Sequence, residues 1–156
     1  MKRLFLAVVF VLGPGLAAAG DISQADLAKL RSYTLSMDKI RAMQAAMAEV
    51  AQAEKTDPSF RAQMDNSDSD SKTITETEAR LKSYPRYLAF FTRHGLNADD
   101  VVLMPLVLMS AGVAAEYPQS AAKLADQTSQ AQIAFFKAHE AELKKMPWLY
   151  GGGGDQ

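Results

Sequence analysis

Fifteen consecutive residues, Val101 to Ala115 (VVLMPLVLMSAGVAA), carry no charge. A helix that is apolar on every face must be covered by protein on all sides or lie in a bilayer. At 1.5 Å per residue the stretch reaches only about 22 Å, short of the ~30 Å hydrocarbon core. Pro105 and Gly112 weaken it further as a span, and Asp99, Asp100 and Glu116 bracket it with charge. The segment is therefore expected to be the central helix of a bundle folded in water, with no stable membrane span in the mature form. A kink is expected near Pro105, which has no N–H to offer the carbonyl of Val101.

A second apolar run has a different reading. Lys2 and Arg3 precede nine uninterrupted apolar residues, Leu4 to Leu12, followed by Gly13-Pro14-Gly15 and then Ala17-Ala18-Ala19. A basic start, a short apolar run and small residues ahead of a cleavage point make a signal peptide, expected over residues 1–19. The mature chain is then exported, to the periplasm or beyond the cell. It keeps 15 basic against 18 acidic side chains, a net charge of −3, with no cationic run longer than Lys144-Lys145. Phosphate binding needs clustered cations, so nucleic acid is not an expected partner. The absence of cysteine excludes disulfides, thiolate metal sites, covalently attached haem and a lipid-modified N-terminal cysteine.

The rest of the chain is punctuated as helices. Ser23 and Ser36 are placed to cap helices running to about Arg31 and Lys55, and Asp57-Pro58 opens a short one to about Asp65. In the second helix Met37, Ile40, Met43, Met47 and Val50 share one face. Asn66 to Lys72 (NSDSDSK) has alternating acids like half a calcium loop, but lacks the glycine and distal glutamate such a loop needs, and is expected to be a surface loop. Thr75 and Glu78 are spaced as a capping box for a helix to about Ser83. A helix from Pro85 to His94 should stop at Gly95, and Asn97 with Asp100 should open the central helix. Tyr117-Pro118 ends that helix and begins a short one to about Ala125. The last helix is expected from Ser129 to Met146, stopped by Pro147, with Trp148-Leu149-Tyr150 packing back. No stretch alternates with a period of two. The expected fold is an all-α compact bundle of about five to seven helices around a central apolar helix, one domain over 20–150, with a disordered glycine-rich tail at 151–156.

Few residues offer chemistry. The heptapeptides Leu88 to His94 (LAFFTRH) and Ile133 to His139 (IAFFKAH) each place a histidine three residues after a Phe-Phe pair, on the apolar face. Paired imidazoles on two helices could clamp a haem or a metal ion, so His94 and His139 are the candidate cofactor ligands. Met37, Met43 and Met47 could offer thioethers to Cu(I), but their spacing is also what core packing requires. There is no Gly-x-Ser-x-Gly turn, His-Glu-x-x-His helix, phosphate-cradling glycine loop or dinucleotide fingerprint. The acid pairs Asp99-Asp100 and Glu140-Glu142 fit cap and solvent-face positions, so no carboxylate pair stands out for a hydrolase.

Three stretches, Tyr33 to Lys39 (YTLSMDK), His94 to Asp100 (HGLNADD) and Gln132 to Phe136 (QIAFF), resemble segments of small exported helical proteins from bacteria, a group with no assigned activity. The resemblance covers roughly half the mature chain and implies an all-α exported protein without implying a reaction. The expectation is a non-catalytic exported helical module without a cofactor, binding a protein, an envelope component or an apolar ligand. The alternative is a haem or metal carrier using His94 and His139, and a hydrolase of unknown type is the third reading.

Overall fold

The computed structural model describes residues 22–65, 71, 73–146 and 148–149. The expected signal segment, most of the polar loop at 66–72, and the tail at 151–156 lie outside them. Among the described residues every regular element is a helix. Seven have eight residues or more: α1 (Gln24–Ser32), α2 (Met37–Thr56), α3 (Pro58–Asp65), α4 (Ile74–Lys82), α5 (Pro85–Thr92), α6 (Ala98–Glu116) and α8 (Gln130–Leu143). A four-residue turn of helix, α7 (Pro118–Ala121), follows α6. The fold is all-α.

Side-chain caps set most of the starts. Ser36 Oγ accepts from the Lys39 amide at 3.3 Å, and Ser129 exchanges hydrogen bonds with Gln132 at the head of α8. Asp57 Oδ1 accepts from the amides of Ser59 and Phe60 at 2.9 and 3.0 Å, and its other oxygen meets Arg86. α4 starts earlier than its Thr75–Glu78 spacing predicts. Thr73 is the cap and Glu76 completes the box, with both reciprocal bonds at 3.1 Å. The overlapping sequence TITETE offers two boxes, and packing chooses between them. Starting at Thr73 puts Ile74 inside the helix, on one buried face with Thr77, Glu78 and Leu81.

α5 ends two residues short of His94, but its termination follows the expected chemistry. The Leu96 amide reaches back to the Phe91 carbonyl at 3.1 Å and the Gly95 amide to Thr92 at 3.0 Å, with Gly95 at φ 77°. This is the left-handed glycine closure of a helix C-terminus. A Cβ at Gly95 would meet nothing within 4 Å. Gly95→Ala is therefore expected to cost about 1 kcal/mol through backbone conformation alone, read as a lower urea midpoint with an unchanged slope. A loss near zero would mean that the turn relaxes.

α6 occupies the middle. It packs against α1, α2, α4, α7 and α8, while α2 also packs against α3 and α5. Pro105 lies inside α6 without ending it. Ile40, Met43, Phe60, Ile74, Phe91, Met104, Val107, Leu108 and Leu143 are wholly buried and form the centre of the core. α6 is the one helix among the described residues long and apolar enough to cross a membrane, and 67 % of its apolar window is buried inside the bundle. The sequence predicts burial on every face, and here the structure differs. Among the described residues, Met109, Val113 and Tyr117 are the exposed large hydrophobic ones, at 61, 38 and 52 %. The other helices cover α6 on its remaining sides and leave this ridge in water.

Candidate functional site

Met109 and Val113 are four apart and stack in one row along α6, and Tyr117, the C-cap residue, follows at its end. Beside this ridge lies a groove of about 170 Å³, lined by Leu108, Met109, Gly112, Val113 and Glu116 of α6, Phe136 of α8, and Leu149. Its floor depends on Gly112. A Cβ there would sit 3.0 Å from two ring carbons of Phe136, so any other residue would force the ring to move by a few tenths of an ångström. Phe136 is 3 % exposed, and its ring forms one wall. Trp148 and Leu149 pack back on the core, as expected of this segment; Tyr150 lies outside the described residues.

At the C-terminal end of α6 the groove meets charge. Lys144 Nζ stands 3.2 Å from Glu116 Oε1 and 2.6 Å from Glu140 Oε1, tying α6 to α8. Its ammonium is held well above the usual lysine range by the hydrogen bond to Glu140 first and to Glu116 second. The groove is thus apolar along its length and charged only at one end.

Two buried polar anchors fix the helices that form these walls. Asp100, 3 % exposed, exchanges cap bonds with Asn97 at 2.9 and 3.0 Å, as the sequence predicts. Its remaining oxygen accepts from both Tyr33 Oη and Lys39 Nζ at 2.7 Å. Burial works to raise the Asp100 pKa. The hydrogen bonds from Lys39, the Asn97 amide and Tyr33 outweigh burial and hold it below the usual carboxylate range. Tyr33 is pushed the other way, by burial and then by the carboxylate it donates to. The second anchor is Gln132, also 3 % exposed. Its Nε2 donates to the carbonyls of Leu30 and Tyr33, both at 2.8 Å. Neither long-range role has a sequence signal, because the partners are 61 to 102 residues away.

The candidate ligands occupy separate settings. His94 Nε2 lies 2.8 Å from Glu49 Oε1 of α2, and Arg93 reaches the other oxygen of Glu49 at 3.0 Å. His139 lies against Phe135 of its own helix, with ring centroids 4.6 Å apart. α5 packs on α2 and α4, whereas α8 packs on α6. Met43 is wholly buried, and Met37 and Met47 are half-buried against the core. Among the described residues no group of three or more histidine or carboxylate side chains is placed to hold a metal ion.

The carboxylates are mostly committed. Glu142 accepts from Arg41 at 2.9 and 3.2 Å. Glu78, a box residue by sequence spacing, is instead buried and accepts from Lys29 at 2.7 Å. Asp26 is buried, with Thr75 Oγ1 3.5 Å from its carboxylate. Glu54 is buried too, and burial raises its pKa, aided by Asp65 and opposed by Arg61. No protein-family model, curated protein or solved structure matches the chain.

Proposed function

We propose that the protein is an exported, non-catalytic helical module that receives an apolar side chain of a partner protein in the groove between α6 and α8. The observation that carries this reading is the exposed row of Met109, Val113 and Tyr117 beside a groove floored by Gly112 and Phe136. Exposed apolar residues aligned beside a concave wall are characteristic of a binding surface. Size selects among the possible ligands. A cavity of roughly 150 Å³ takes one benzene ring, whereas pockets for cofactors and lipid-sized ligands begin at about 300 Å³. At about 170 Å³ the groove suits one leucine or phenylalanine side chain of a docked peptide, with the ridge covering the residues on either side.

The test uses an amphipathic Leu/Lys helical peptide and methyl NMR of the mature chain. Titration is expected to shift the methyl signals of Leu108, Val113 and Leu149, and Val113→Gln is expected to weaken binding at least fivefold. Because Val113 is a surface position, the substitution should change stability by no more than about 0.5 kcal/mol. Absence of shifts at these three residues, or equal binding by Val113→Gln, would sink the reading.

A further inference from the structure

We infer that Met109 is an oxidation site at which a peroxide converts the docking ridge from apolar to polar. The switching half of this inference rests on the binding role proposed above; the oxidation half does not.

Oxidation of methionine follows exposure of the thioether, and the structure grades the methionines steeply. Met43 and Met104 are wholly buried and Met146 is 4 % exposed. Met37, Met47 and Met64 are half-buried against the core. Met109 alone among the described methionines stands out, at 61 %. Met1 lies outside the described residues, within the segment expected to be removed. A helix ridge needs apolar bulk at position 109, and leucine or valine would supply it without sulfur. Methionine makes the same contact oxidisable.

The chemistry needs only hydrogen peroxide or a related oxidant. A lone pair of the Met109 sulfur attacks one peroxide oxygen, the S–O bond forms and the O–O bond breaks. The departing hydroxide takes up the proton released by the hydroxyl now on sulfur and leaves as water. Sulfur loses two electrons and the peroxide gains them. The product is a sulfoxide, a chiral and strongly hydrogen-bond-accepting group, at the rim of a groove lined by Leu108, Val113, Phe136 and Leu149. An incoming apolar side chain would have to strip water from that oxygen without replacing its hydrogen bonds. Methionine sulfoxide is reducible enzymatically, so the change is reversible.

The test exposes the mature protein to limiting hydrogen peroxide, maps the added oxygen by peptide mass spectrometry, and titrates the same samples with the Leu/Lys peptide. Met109 is expected to oxidise roughly tenfold faster than any other methionine, and the oxidised protein to bind the peptide roughly tenfold more weakly. Met109→Leu removes the sulfur, and whatever its affinity for the peptide, peroxide should leave that affinity unchanged. Met109→Gln, which mimics the polar product, should bind weakly without oxidant. Earlier oxidation at another methionine would overturn the site. Undiminished binding by Met109 sulfoxide, or a peroxide effect that persists in Met109→Leu, would overturn the switch. If the reduced wild type fails to bind the peptide, the docking role and the switch both fall, while the mass map still decides the oxidation site by itself.

Discussion

Truncating Phe136 to alanine is expected to destabilise the protein by about 3–5 kcal/mol, the usual result of removing a buried ring that its surroundings cannot replace. Phe136 is 3 % exposed and lies against the α6 backbone at Gly112. Its loss also opens the groove wall, so binding of the Leu/Lys peptide should fall with stability. A companion substitution isolates the contact. In the wild type, Gly112→Ala puts a methyl 3.0 Å from the ring, tighter than ordinary contact, and the closely packed Phe136 (3 % exposed) must shift, so the substitution should destabilise. In the Phe136→Ala background the obstruction is gone, and the higher helix propensity of alanine should stabilise by up to about 1 kcal/mol. Urea unfolding of the four proteins gives the cycle. If Gly112→Ala has the same sign in both backgrounds, the ring does not rest on Gly112 as described.

The second large effect is expected at Asp100. Alanine there removes a reciprocal cap of α6 and leaves Tyr33 Oη and Lys39 Nζ without their shared acceptor, for a loss of about 3 kcal/mol near neutral pH. The loss should depend on pH in a defined direction. The folded-state pKa of Asp100 lies below its unfolded value, so the unfolded chain binds the proton more readily. The stabilisation is therefore complete above the unfolded value, roughly 3.9, and disappears as pH falls through the lower folded value. Urea titrations at pH 7 and in this acid window should show the wild type converging on Asp100→Ala as the carboxylate protonates. A gap independent of pH would mean that the ionised form of Asp100 is not what ties Tyr33 and Lys39 to α6.

How much of this was legible in the sequence depended on whether the deciding interaction was local. Ser23, Ser36 and Asn97 cap the helices that the sequence assigns to them, because a cap and its amide are three residues apart. Ile40, Met43 and Val50 are buried along the predicted α2 face for the same reason. TITETE is the instructive case, since both boxes are locally sound and only the packing of Ile74 against the core separates them. The groove was out of reach. Val101 to Ala115 is apolar all round, so nothing in the residues marks which side the neighbours leave open. Gly112 reads as a helix weakener and becomes meaningful only when Phe136, twenty-four positions later, lies on it. The histidine pair shows the converse, since of two similar heptapeptides one runs off the end of α5 and the other lies within α8, and the two helices have different neighbours.

The bond from the Gln132 amide to the carbonyls of Leu30 and Tyr33 has a consequence for biosynthesis. The ribosome delivers the chain from its N-terminus, so the tail of α1 emerges about a hundred residues before the side chain that fastens it. Until α8 is made, those two carbonyls lack the side-chain donor that joins them, and α6 lacks the ring that closes onto Gly112. Completion of the native architecture is thereby deferred to the end of translation, which leaves the nascent polypeptide pliable for most of its synthesis.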